Sequence, residues 1–289
     1  MNAFKEQCIA LRKQDHTLTE IVKITGRSKT SVYTHIHKIP LSRKKKAASL
    51  KAQGERIRVF ALQRRGLSAR KFTKFDGWNE STVSLVAHFL FDGEIKHGHC
   101  TYHNRNHALL DLVEAQMKDI YDFEPKRYYN RITGVSRISY FNVAFSAFIK
   151  QKAEELLRDV FTFPKELKRA FLRSFFDDEG CIDFRPSKKT RRIRGYQKNI
   201  RILEVVQELL HHFDIDAFIQ LPNEVVMAYK ENLSKFEKEI GFSPGVRING
   251  NRSNSIWKKS LEKREILRRA IASYKPAGSN GVHRSSLTR

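Results

Sequence analysis

LRSFFDDEGCI at residues 172–182 and LVAHFLFDGEI at residues 85–95 are two versions of one pattern. Each is an apolar run at helical spacing that ends in an acid and a glycine, Glu179–Gly180 and Asp92–Gly93, and then turns strand-like. The similarity continues downstream. NHALLDLV (106–113) parallels NIRILEVV (199–206), YDFEPK (121–126) parallels FDIDAF (213–218), and RISYFNVAF (137–145) and VVMAY (225–229) read as closing strands. An internal repeat of helix, two strands, helix, two strands, helix follows. The acids are 87 residues apart and the downstream segments 92–93, so the second copy carries about six extra residues in its first hairpin.

These residues carry a resemblance. The core is similar to the LAGLIDADG homing-endonuclease family in its single-chain, two-repeat form. The third motif position is small (Ala87, Ser174), the eighth is an acid (Asp92, Glu179) and the ninth is glycine. The resemblance covers roughly residues 80–245. It implies an α+β fold of two pseudo-symmetric αββαββα repeats with antiparallel saddle sheets, and a monomer with an internal pseudo-twofold axis. Domains are expected at 79–160 and 161–246 for the repeats, with an all-α helix-turn-helix region at 1–40 and a basic linker at 41–78. A basic C-terminal helix at 247–275 and a disordered tail at 276–289 complete the layout.

A carboxylate at a helix C-terminus faces the negative end of the dipole, which costs roughly 0.3–1 kcal/mol at an exposed end. Doing so in both copies asks for a compensating cation. Two facing carboxylates repel unless a metal bridges them. Oxygen ligands suit Mg2+, with Mn2+ as a substitute. By the resemblance, Asp92 and Glu179 are catalytic and metal-binding acids, the carbonyls at Phe91 and Asp178 complete the metal shell, and Lys230 is a catalytic lysine near the end of a fourth strand. The matching first-copy position is Ser146, a departure that puts symmetric cleavage in doubt.

The chain carries 55 Lys+Arg against 31 Asp+Glu, a formal charge of +24. Residues 1–75 hold 19 Lys+Arg against 4 Asp+Glu, residues 247–289 hold 11 against 2, and the stretch between is formally neutral. Such a field attracts polyanions, and double-stranded DNA is the expected partner. No apolar run reaches the about 18 residues a membrane span needs. MNAFKEQC lacks a signal-peptide stretch, and Cys8, Cys100 and Cys181 form no CxxC pair. A reduced cytoplasmic setting is expected, on the nucleoid in a prokaryote.

Within the neutral middle, FRPSKKTRRIRGYQKN (184–199) holds seven cations and no acid. Arg185, Lys188, Lys189, Arg191, Arg192, Arg194, Gln197 and Lys198 are candidate DNA contacts. Alternation puts Arg192, Arg194 and Tyr196 on one face and Arg191, Ile193 and Gly195 on the other. The first copy's hairpin, HGHCTYHNRNH (97–107), has four histidines and a cysteine but no established zinc spacing, so contact with DNA is favoured over zinc.

LTEIVKITGRSKTSVYTHI (18–36) reads as helix, Gly-containing turn and helix, with Ile21, Val22 and Ile24 as an apolar stripe, Ser28 as a cap, and Val32 and Ile36 facing inward. It resembles the helix-turn-helix family, whose second helix enters the major groove. Arg27, Lys29, Thr30 and Tyr33 would then reach DNA. LSRKKKAASLK (41–51) reads as a linker or backbone clamp, and GLSARKFTKFDGWNESTV (66–83) shows a second helix-turn-helix-like pattern. In WKKSLEKREILRRAI (257–271), Leu261, Ile266 and Leu267 should face inward and the basic residues outward.

Both acids are intact, which favours a Mg2+-dependent, site-specific DNA endonuclease, and the family resemblance implies hydrolysis of both strands across the minor groove. The added N-terminal module favours a sequence-specific transcriptional regulator without cleavage. An intron RNA maturase is the third reading, because the same fold sometimes becomes one.

Overall fold

Tertiary structure was read from a computed structural model, which describes residues 3–64, 70–248 and 258–274. Two units emerge, Met1–Ala69 and Arg70–Arg289.

The first unit holds α1 (Ala3–Lys13), α2 (Leu18–Thr25), α3 (Lys29–Ile36) and α4 (Arg43–Arg64). Thr17 and Glu20 form a reciprocal capping box at the start of α2, and Gly26 ends that helix at φ 65°, a conformation only glycine takes at little cost. Ser28 caps α3 by accepting from the Ser31 amide. Cys8, Ile21, Val32 and Ile36 form a small core, with Phe4, Leu11, Leu18 and Val22 packed on it. Ile24 departs from the expected stripe and is 51% exposed. Helical geometry puts Thr25 in the inward place instead, and its hydroxyl donates to the Ile21 carbonyl at 2.7 Å. The stretch read as a basic linker is helical along Arg43–Arg64, rich in good helix formers and without a buried residue among those described.

The second unit repeats one topology. The first copy runs α5 (Glu80–Phe91), β1 (Gly93–Lys96), β2 (His99–Asn104), α6 (His107–Lys118), β3 (Tyr128–Asn130), β4 (Val135–Phe141) and α7 (Val143–Asp159). The second runs α8 (Lys165–Glu179), β5 (Gly180–Arg185), β6 (Thr190–Tyr196), α9 (Ile200–His211), β7 (Phe218–Gln220), β8 (Glu224–Ala228) and α10 (Lys230–Glu239). The sheets are antiparallel, in the orders β1-β2-β4-β3 and β5-β6-β8-β7. The fold is therefore α+β with two αββαββα copies, and α11 (Lys263–Ala272) follows them.

Two expectations change at the edges of this unit. In the second helix-turn-helix-like pattern, residues 66–69 lie outside the described residues, and residues 70–79 contain no helix. Phe72 pairs with Tyr121 as a single bridge, and Phe72, Phe75 and Trp78 pack on the core, with Phe75 against Phe148 at 5.0 Å. Burying three aromatics separately outweighs forming one short helix. The C-terminal helix begins at Lys263, well after the expected start, and the tail at 276–289 lies outside the described residues.

Candidate functional site

The motif helices α5 and α8 pack on each other through small and aromatic residues. Ala87 and Ser174 are buried, and the Ser174 hydroxyl donates to Ser84 of the other helix at 3.1 Å. The Phe91 ring meets Phe171 and Phe175 edge-on at 5.4 and 5.1 Å. Each helix then turns into a strand without a loop. A Cβ on Gly93 would lie 2.3 Å from the Phe89 carbonyl oxygen, and one on Gly180 would lie 2.3 Å from that of Phe176. The glycines are thus dictated by close approach of backbone, in the same way in both copies.

That turn delivers the acids. Asp92 is the C-cap of α5, and Glu179 is the last residue of α8. The Asp92 side chain accepts from Asn104 Nδ2 at 2.8 Å. Burial raises its pKa to about 8, with the charges of Asp178 and Glu179 adding to the effect. Burial likewise raises Glu179 to about 7, with Asp178 adding to it. The Glu179 carboxylate accepts no hydrogen bond from a described residue. Asp178 is different, because its carboxylate has donors on both oxygens. Tyr102 donates to Oδ1 at 2.6 Å, and His88 Nδ1 lies 2.8 Å from Oδ2.

A cation from the same chain enters this cluster. Lys263, the first residue of α11, is buried, and its Nζ donates to the carbonyls of Phe176 at 3.1 Å and Asp177 at 2.6 Å. Its charge acts on Asp92, Asp177 and Glu179. Burial lowers the pKa of Lys263 itself, against the pull of the surrounding acids. The expectation that the basic residues of this segment face outward fails here. Lys263, Ile266, Leu267 and Ala270 all lie inward, at the i, i+3, i+4, i+7 spacing of one helix face. That spacing was the available signal.

Lys230 opens α10 and is exposed, and it is not among the charges acting on Asp92 or Glu179. The lysine beside the acids is Lys263. In the first copy Ser146 is buried and accepts from the Gly98 amide at 3.0 Å. A cleft of about 490 Å³ is lined by Asp92, Asn104, Arg105, Asp178 and Lys263 among others. Among the described residues no group of three or more His, Cys, Asp and Glu stands together as a metal cluster, in the His-rich hairpin or elsewhere. The motif ends offer two carboxylates that are not locked by donors on both oxygens, Asp92 and Glu179. Both are held back from ionising by burial and by neighbouring negative charge. Such an oxygen-only pair fits a hard divalent cation that takes its remaining ligands from carbonyls, water and phosphate.

The basic hairpin is β5 and β6. Register puts Asp183, Arg192 and Ala228 side by side, and next to them Cys181, Arg194 and Val226. Arg192 and Arg194 share the face opposite the core, as alternation predicts. Two acids outside the basic stretch 184–199, one in β5 and one in β8, hold these arginines. Asp183 pairs with Arg185 at 2.7 Å and with Arg192 at 3.5 Å, and Glu224 takes Arg194 through two guanidinium nitrogens. Arg191 points the other way. It donates to Ser273 and lies over the Tyr274 ring at 4.8 Å, so the core side and not solvent receives it. Lys188, Lys189 and Lys198 are exposed, and Gln197 accepts from the Asn199 amide. In the first unit Arg27, Lys29, Thr30 and Tyr33 are all exposed around the start of α3.

Residues 166–241 match the family described as LAGLIDADG-like domain. No curated protein matches this chain. Among solved structures, the chain is similar to the homing endonuclease I-DmoI in complex with DNA and Mn, at 15% identity and TM-score 0.43 over 56% of this chain and 98% of that one. It is also similar to the N-terminal LAGLIDADG domain of DUF199/WhiA, at 16% identity and TM-score 0.45 over 60% and 88%. Full-length DUF199/WhiA from Thermatoga maritima aligns at 16% identity and TM-score 0.49 over 71% of this chain and 64% of that one.

Proposed function

We propose that this chain, whose residues 166–241 form a LAGLIDADG-like domain, is a site-specific, divalent-metal-dependent endonuclease acting on double-stranded DNA. One observation carries this reading: Asp92 and Glu179 end the paired motif helices with their pKa values raised to about 8 and about 7 by burial and shared negative charge. Two half-buried acids with raised pKa values and few donors, at the ends of paired helices, mark a candidate functional site. When bound, Mg2+ or Mn2+ supplies Lewis acidity at the scissile phosphate and lowers the pKa of the attacking water. Asp92 and Glu179 would hold it, with the carbonyls at Phe91 and Asp178 nearby in the chain. Asn104 orients the Asp92 carboxylate. Lys263 places positive charge beside the same acids. The duplex would lie on the open sheet faces, read by Arg192 and Arg194 and gripped through Lys188, Lys189 and Lys198. The exposed start of α3, with Arg27, Lys29, Thr30 and Tyr33, supplies a second DNA-binding surface.

A second reading is a DNA-binding regulator that does not cut. It is favoured by Lys263, a cation the chain already places among the acids. The two are separated by selecting bound duplexes from a random pool and incubating them with Mg2+ and Mn2+. Cutting at a defined position supports the endonuclease. Tight binding without any nick across both metals overturns it.

A further inference from the structure

The chain after the second repeat brings one charged side chain into the centre of the molecule. Leu261, Ile266, Leu267 and Ala270 anchor this segment on the core, and the Lys263 amide donates to the Val246 carbonyl at 2.8 Å. The lysine Nζ lies over the Phe242 ring, 5.5 Å from its centroid. Its Nζ stops at the Phe176 and Asp177 carbonyls, in the last turn of α8, where the dipole is negative and the acids gather. An isolated ammonium in so buried a place is expensive, and apolar residues of similar size are often better tolerated. A leucine or methionine would fill the same inward stripe. Lys263 instead lines the same cleft as Asp92, Asp177 and Asp178, whose negative charge an apolar side chain would leave unanswered.

We propose that Lys263 is a site residue: a built-in counter-cation that balances the motif acids when no divalent ion is bound, and that competes electrostatically with such an ion. The metal half of this rests on reading Asp92 and Glu179 as a cation site. The charge half does not. Lys263 is a positioning residue, acting through the acids and through the end of α8. Its presence sets the divalent-ion concentration at which the site fills, because a bound ion must share the acids with a fixed ammonium.

The test is a thermodynamic cycle on the full chain, read as Tm across a series of pH values. Lys263→Gln keeps an N–H donor for the two carbonyls and removes the charge. Asp92→Asn is expected to raise Tm in Lys263→Gln by at least about 2–4 °C more than it does in the native chain. Equal increments would overturn the proposal. If Lys263→Gln folds only when combined with Asp92→Asn and Glu179→Gln, that is the same coupling in its extreme form. Failure to fold in both backgrounds would mark a purely structural lysine and overturn it. Lys263→Arg should restore native behaviour. Titrating Mn2+ and following Tm gives the second readout. Lys263→Gln should respond at a concentration at least about fivefold lower than the native chain. A weaker response than native would mean that Lys263 only holds geometry. If Mn2+ moves neither chain, the cation-site reading falls, and the cycle still decides the charge role of Lys263.

Discussion

His88 Nδ1 and Asp178 Oδ2 lie 2.8 Å apart across the interface of the two motif helices, with side chains 1% and 0% exposed. Each residue comes from a different repeat, so the pair fixes the ends of α5 and α8 against each other. Burial disfavours a charged imidazole, yet the Asp178 carboxylate outweighs that and raises the pKa of His88. His88→Ala leaves a buried carboxylate with Tyr102 and Asn104 as its remaining donors. Breaking one side of a buried pair costs about 3–5 kcal/mol. Urea unfolding should show a loss of that order, and a loss under about 1 kcal/mol would show the pair to be unimportant.

Stability should fall as pH rises through the neutral range. Asp92 moves from 3.8 to about 8 and Glu179 from 4.5 to about 7 on folding. Between those values the native state binds more protons than the unfolded state, so raising the pH favours unfolding. His88, also raised from 6.5, works in the same direction, since its contribution is present below the unfolded value and lost as pH passes the folded one. Tm measured from about pH 4 to about pH 8 should decline, and Asp92→Asn with Glu179→Gln should flatten the decline. A rise in Tm over that range contradicts the electrostatics described.

Gly93→Ala and Gly180→Ala should each destabilise by about 1–3 kcal/mol, because the new methyl meets a backbone carbonyl 2.3 Å away and the backbone must shift. Gly77→Ala, where nothing lies within 4 Å of the added carbon, is the control and should stay within about 0.5 kcal/mol. Thermal unfolding of the three variants checks this, and equal effects at all three would refute the close-approach argument.

Cleavage assays on the selected duplex should lose activity in Asp92→Asn and in Glu179→Gln, with binding kept within a few-fold in gel-shift titrations. A variant that still cuts at the native rate removes that acid from the site.

DNA affinity should fall by roughly 10^3–10^5 between 50 and 200 mM salt if six to ten phosphates are contacted. Lys188→Ala and Lys189→Ala should each reduce the salt slope by about one and leave sequence preference alone. Arg192→Ala and Arg194→Ala should cost about 1–3 kcal/mol at one base position and relax preference there. Arg191→Ala, by contrast, should cost stability through Ser273 and Tyr274 more than it costs binding. Salt-series binding curves on selected and scrambled duplexes distinguish these outcomes.

The repeat was legible in the sequence because its causes are local. Apolar spacing makes α5 and α8, and the glycine after each acid admits the immediate turn into a strand. Alternation assigns Arg192 and Arg194 to one face and Arg191 to the other. The cap at Ser28 and the left-handed Gly26 are equally local, and both stand where the residue types put them. The order of elements and the position of the two acids at helix ends are therefore local properties of the chain.

What surrounds those acids depends on packing between distant segments. Lys263 lies 84 residues beyond Glu179 in the chain, and its i, i+3, i+4, i+7 relation to Ile266, Leu267 and Ala270 becomes meaningful once α11 packs on the core. His88 and Tyr102 look like ordinary core residues until the second repeat brings Asp178 against them. Asp183 and Glu224 hold the hairpin arginines through cross-strand register, which a count of charges along 184–199 does not contain. Burial and pairing between distant segments set a group's charge and its freedom to act, and neither is a property of local sequence.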